Sequence, residues 1–242
     1  MDEGLNRRDR ELLAMNRGKV YTISFLLLAA GTLFLFLAGI PGGKYLWHPA
    51  NALKTPSPVE QILPTERSIP DLILLGAREE VKRKTRYDAA YQAISYPGGD
   101  VDPEQGACTD VIIRALRFAG YDLQQLIHED MSENFALYPQ LWGLSKPDPN
   151  IDHRRTQNQM LFFERFGKKL TPEVTGANLS QWRHGDFVYW RFPSGEQHTG
   201  VISDRTNGQG APLVIHNSWI ACEEDCLLRW EIIGHYRFPA QP

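Results

Sequence analysis

FVYWRFPSGEQHTGVISDRTNGQGAPLVIH, residues 187–216, is the stretch that settles the fold class. Its runs at 187–190, 198–203 and 212–216 are short and rich in β-branched and aromatic side chains, which suit a pleated surface. Pro193-Ser194-Gly195 and Asn207-Gly208 supply turns between them, and a fourth such run follows at 230–238. Toward the N-terminus the period changes. Leu72, Ile73, Leu75, Ala77 and Val81 recur at helical spacing, and Val111, Ile112, Ala115, Leu116 and Ala119 form one apolar stripe that Gly120 closes. Shorter helices are predicted at about 122–131 and 153–166, the second ended by Gly167. Helices first and strands afterwards is the order of an α+β domain with an antiparallel sheet.

The 242 residues are 42% hydrophobic and 23% charged, an ordinary globular balance. With 26 Lys and Arg against 29 Asp and Glu the formal charge is -3, which argues against nucleic acid as a partner. The average conceals residues 20–40, VYTISFLLLAAGTLFLFLAGI, which carry no charge. As a helix that run is roughly 31 Å long, about one hydrocarbon core. Arg7, Arg8, Arg10, Arg17 and Lys19 precede it, and Tyr45 and Trp47 follow. The expectation is a single signal anchor in the cytoplasmic membrane, with residues 1–19 in the cytoplasm and the rest on the periplasmic side. The run exceeds a signal peptide's apolar region, and Ala38-Gly39-Ile40-Pro41 is a poor cleavage site. Residues 41–70 hold six prolines and read as an extended tether. Residues 71–242 remain for one domain with its own core.

Cysteine usage singles out one position. Cys222 and Cys226 lie four apart in ACEEDC and are expected to form a disulfide across a tight loop. Two free thiols or half of a metal site are the alternatives, and no second Cys pair completes a zinc set. Cys108 is left over. It opens the helix predicted at 109–119, whose free N–H groups and partial positive charge favour a thiolate and suit an oxyanion. Asp110 opposes that charge, caps the helix, or pairs with Arg114; a buried structural cysteine is the plain reading.

A base is available on the strands. If the hairpin is symmetrical about Asn207, His198 stands directly opposite His216 on one face. His216 could then orient the imidazole of His198 while His198 takes the proton of Cys108. A one-residue slip puts Asn217 there instead. Asp152-His153-Arg154-Arg155 opens a predicted helix: Asp152 suits an N-cap, and Arg154 or Arg155 could hold a substrate carboxylate in a bidentate fork. A zinc site of His153, His198 and His216 lacks helical i,i+4 spacing for any pair.

Gly106-Ala-Cys-Thr-Asp110 heading an apolar helix, Gly185-Asp-Phe-Val-Tyr-Trp190, His198-Thr-Gly-Val-Ile202 and Val214-Ile-His216 together resemble NlpC-type cell-wall cysteine peptidases. The resemblance implies a papain-like fold in permuted order and cleavage of amide bonds in peptidoglycan stem peptides. It implies Cys108 as nucleophile, His198 as base, His216 as third member and Tyr96 lining the pocket, with no cofactor and no metal. More closely, YPGGD at 96–100, CTDVIIRA at 108–115, DLQ at 122–124, HEDM at 128–131, IDHRR at 151–155, Gly185-Asp186 and IHN at 215–217 resemble a bacterial envelope family known as a domain of unknown function within that peptidase clan. That resemblance spans about residues 71–238. Thr109 and Asp110 stand where NlpC-type enzymes usually carry Ser and Gly, so substrate preference does not carry over. The expectation is a membrane-anchored extracytoplasmic cysteine hydrolase, with Tyr96, Asp110, Asp152, His153, Arg154, Arg155 and Asn217 around the substrate. A non-catalytic wall-binding module and an acyltransferase using the same cysteine are the alternatives.

Overall fold

A computed structural model describes residues 57–240; the anchor expected at 20–40 and the residues before it lie outside them. Among the described residues no helix is long and apolar enough to cross a membrane. The described residues form four α-helices: α1 (Ile69–Arg83), α2 (Cys108–Phe118), α3 (Leu123–Asn134) and α4 (Thr156–Phe166). Strands β1 (Arg86–Tyr87) and β2 (Gln105–Gly106) make a two-residue parallel pair between α1 and α2. Then come β3 (Lys168–Lys169), β4 (Phe187–Arg191), β5 (Gln197–Thr206), β6 (Pro212–His216), β7 (Cys222–Glu224) and β8 (Glu231–Arg237). They form one antiparallel sheet in the order β3-β8-β4-β5-β6-β7, so the fold is the α+β class expected.

Local chemistry sets the helix ends. Asp71 accepts from the Ser68 amide at 2.7 Å and from its hydroxyl at 2.6 Å, starting α1 behind Pro70. At α2 the N-cap is Ala107, which has no side-chain acceptor, so Asp110 reaches back to the Ala107 amide at 2.6 Å. Gly120, at φ +90°, closes α2 in the left-handed region as its position predicts. Helices α1 and α2 cross closely because Gly76 has no side chain: a Cβ there would sit 2.6 Å from Phe118 Cβ and 2.9 Å from Ala115 Cα. Residues 57–66, within the expected tether, already pack on the domain. Val59 joins the main core, and the Arg78 guanidinium donates to Ser57 Oγ.

Strand alternation builds two cores. Phe187, Tyr189, Val201 and Ile215 face the helices with Ile73, Leu116 and Phe163. Val188, Trp190, Ile202 and Val214 face a second cluster with Trp182, Cys226 and Leu227. Burial on both faces is why 187–190 reads as an unbroken apolar run.

Three expectations need correction. First, the hairpin is not symmetrical about Asn207. The Asn207 carboxamide oxygen accepts from Gln209 and Ala211 at 2.9 and 3.0 Å, and Gly210 takes the left-handed position, so the loop centres farther along. An irregularity between Ile202 and Thr206 then sets Val201 opposite Ile215. His216 therefore falls opposite Gly200, two residues from the expected partner but on the same face as His198. Second, 222–224 is a strand. It pairs Cys222 with His216, Cys226 is buried in the second core, and no bridge joins the two cysteines. Third, Asp152 opens a short 3-10 turn (Asp152–Arg154) and α4 starts only at Thr156, so Asp152 does not cap it.

Candidate active site

His198 and His216 meet through the gap that Gly200 leaves. A Cβ on Gly200 would lie 2.7 Å from Val214 Cγ1, 2.8 Å from Ile215 O and 3.1 Å from His216 Cβ, so glycine there lets β6 approach and the two rings join along the diagonal of the ladder. His198 Nε2 is 2.8 Å from His216 Nδ1, with the rings nearly perpendicular at 88°. Trp190, Phe192 and Trp230 pack around His198, which is buried. The chain continues outward: His216 Nε2 is 2.8 Å from Glu224 Oε1, and Arg229 clasps Glu224 through Nη1 at 2.6 Å and Nη2 at 2.9 Å.

This order sets the hydrogens. Burial alone would raise the Glu224 carboxyl, but hydrogen bonds and charge from His216 and Arg229 hold it at about 2, so it is an ionised acceptor. When His216 carries the charge that lowers Glu224 it donates from both ring nitrogens; in the form with both rings neutral it donates from Nε2 and accepts at Nδ1. His198 then donates from Nε2 and keeps a lone pair on Nδ1, which makes no hydrogen bond among the described residues.

Cys108 is the first residue of α2 and is buried. The backbone N–H groups of Thr199, of Thr109 and of Cys108 itself point at its sulfur. The Thr199 nitrogen is bonded to the carbonyl carbon of His198, so the sulfur rests against the main chain of His198. The β5–β6 ladder, which begins at Val201 and Ile215, leaves that amide free. No hydrogen bond joins the Cys108 thiol to the His198 ring. Burial outweighs the three N–H donors, Asp110 adds to it, and the thiol is pushed up to about 12. Burial and the neighbouring His216 push His198 down to about 3. The helix start therefore does not yield the free thiolate its sequence suggests: Cys108 is a buried neutral thiol and His198 a buried neutral imidazole.

The remaining expected residues divide. Asp110 and Arg154 form a buried bidentate pair, Nε to Oδ1 at 3.0 Å and Nη2 to Oδ2 at 2.9 Å. Arg154 also donates to Ala90 O at 2.9 Å and Asp88 O at 3.3 Å, so every guanidinium nitrogen is engaged within the protein. Asp152 accepts from Arg155 Nη1 at 2.9 Å, and the Arg155 guanidinium lies 3.9 Å over the Trp142 ring. His153 is buried, its Nδ1 lacks a partner, and burial with the charges of Arg154 and Arg117 pushes it down to about 3. It does not gather with His198 and His216 as a ligand group. Asn217 sits on the other face of β6's continuation and donates to Gly106 O at 2.9 Å, bracing the loop before Cys108. Tyr96 packs edge-on against His128 at 4.8 Å.

Sequence reasoning missed Glu224, Arg229, Gly200, Thr199 and Tyr87. The Tyr87 phenol lies within the field of the Cys108 sulfur, and with burial acting first it is pushed up to about 12. Alternation along CEEDC, had it been read as a strand, would have turned Glu224 toward His216.

Among known proteins, the family model described as a domain of unknown function (DUF1287) matches residues 74–238. The uncharacterized protein YijF of Escherichia coli (strain K12) is 45% identical over 190 residues, covering 78% of this chain and 91% of that protein. No solved structure matches.

Proposed function

This chain belongs to the DUF1287 family, and we propose that it is a cysteine hydrolase that cleaves amide bonds, with peptidoglycan stem peptides as its substrate class. The observation that carries the reading is the open-ended chain Arg229–Glu224–His216–His198, whose last member is the chain neighbour of Thr199, the residue whose backbone N–H faces Cys108. The substrate class and a papain-like relationship rest on the resemblance of the motifs to NlpC-type enzymes. Anchoring through residues 20–40, with the domain on the periplasmic side, completes the proposal.

The chemistry follows from the neutral pair. As Cys108 Sγ attacks the carbonyl carbon, His198 Nδ1 takes the thiol proton, so no lone charge is buried beforehand. The imidazolium that forms is steadied through His216 by the Glu224 carboxylate. The N–H groups of Cys108 and Thr109 at the start of α2 are the donors available to the carbonyl oxygen as it gains charge. His198 returns the proton to the leaving amine, and water, deprotonated in the same way, releases the thioester.

Cys108→Ala in the full-length chain, assayed against purified muropeptides, tests this: complete loss of product with the fold retained by circular dichroism is expected. Undiminished turnover would sink the reading. The burial of Cys108, with its thiol at about 12, favours a second reading, a module that binds stem peptides without cutting them. In that case wild type and Cys108→Ala bind muropeptides equally and neither releases product.

A further inference from the structure

We propose that Cys222, Glu224, Cys226 and His216 bind one thiophilic divalent cation, and that its binding switches off the Cys108 site. The second half rests on the hydrolase reading; the first does not.

Donor atoms of His216, Glu224 and Cys226 lie within 4.8 Å of one another, and Cys222 Sγ is 3.9 Å from His216 Nε2. Strand geometry explains the gathering. Cys222 and Glu224 alternate along β7 toward His216, and Cys226 follows at the same spacing, while Glu223 turns to the other face and pairs with Arg78 at 2.8 Å. Tetrahedral zinc, with bonds of about 2.0–2.3 Å, needs its donors roughly 3.3–3.8 Å apart, so the His216, Glu224 and Cys226 donors close by about 1 Å and Cys222 swings in from the His216 side.

The donor chemistry selects the ion. Two thiols, an imidazole and one carboxylate suit zinc far better than magnesium or calcium, which take oxygen donors. His216 is fully buried, Cys226 is 1% exposed, and Trp182, Trp190 and Leu227 wall the second core around Cys226, so water competes poorly. Charge closes as well. Two thiolates and a carboxylate around a divalent ion leave one negative charge, and Arg229, already clasping Glu224, offsets it from the second shell.

Loading changes the hydrogens of the neighbouring site. The two thiols release two protons to solvent, with no change of oxidation state. The metal takes the lone pair of His216 Nε2, so the His216 hydrogen moves to Nδ1 and is donated to His198 Nε2. The His198 hydrogen then sits on Nδ1, the atom that must be bare to receive the Cys108 proton. The base is lost although no residue has moved far.

The test uses the reduced full-length chain titrated with zinc, and with cobalt(II) as a coloured probe. One equivalent should bind, with thiolate-to-cobalt absorption, and mass spectrometry after alkylation should count two fewer reactive thiols. Glu224→Gln should weaken binding, and Cys222→Ser/Cys226→Ser should abolish it. Muropeptide hydrolysis should fall at least tenfold as zinc loads, whereas the double variant's rate should not respond to zinc. Absence of uptake overturns the site, as does uptake that survives in the double variant, or a Cys222–Cys226 bridge whose reduction restores no binding. Stoichiometric uptake with unchanged hydrolysis overturns the switch alone. If the chain hydrolyses nothing, the cobalt spectrum still decides the site.

Discussion

Two buried polar clusters flank Cys108, and they end differently. On the helix side Asp110 and Arg154 close on each other, and the spare donors of Arg154 go to the Ala90 and Asp88 carbonyls. On the sheet side the chain from Arg229 through Glu224 and His216 stops at a His198 nitrogen that makes no hydrogen bond among the described residues. A closed cluster has nothing left to give a substrate and serves to hold α2 against the 152–155 segment. An open one keeps a ring nitrogen that no other group among the described residues occupies. Counting charges near a cysteine therefore says less than asking where each chain of hydrogen bonds terminates.

Breaking each cluster should give different signatures. Arg154→Ala leaves Asp110 buried and unpaired, which should cost about 3–5 kcal/mol of stability; urea unfolding checks it, and an unchanged midpoint would place Arg154 outside the scaffold. Glu224→Gln keeps the shape but removes the charge that steadies an imidazolium. A fall in turnover of about 10–100-fold is expected, within the range of one electrostatic contact, with little change in KM. The same variant sharpens the comparison through acid stability. Glu224 is held at about 2 against an ordinary 4.5, so its contribution is complete above about 4.5 and is lost as pH falls toward about 2. Wild type should lose stability across that window, and Glu224→Gln should lose less. The smallest effect is on the isolated thiol: alkylation of Cys108 near neutral pH should be slower than for an unperturbed cysteine and should rise only at strongly alkaline pH, because burial holds it at about 12. A thiolate plateau near pH 6 would mean that the pair is ionised before substrate arrives.

Much of the scaffold was legible because its signals are local. The helical stripe of 111–119 with Gly120 behind it became α2, and the runs at 187–190 and 212–216 became β4 and β6 almost residue for residue. His198 and His216 were correctly placed on one face although the register was two residues off, since a shift of two preserves the face. What failed depends on contacts between distant segments. The ACEEDC segment looked like a loop because Cys222, Glu223 and Glu224 carry no apolar alternation; pairing with β6 makes it a strand, and the sequence around it does not announce that pairing. Arg154 looked free because Asp110, 44 positions away, is invisible from its own neighbourhood.

The sequence by itself determined the order of helices and strands, the close of α2 at Gly120, the place of Cys108 at a helix start, and the shared face of two histidines. Period, capping and turn chemistry are carried by neighbours in the chain. Only the tertiary structure decided that His216 rather than Asn217 meets His198 and that Glu224 continues the chain, that Arg154 is already occupied, and that Cys108 is a thiol rather than a thiolate. Register, pairing and desolvation belong to contacts between segments far apart in sequence, and an ionisable group takes its state from whatever those contacts exclude or bring near.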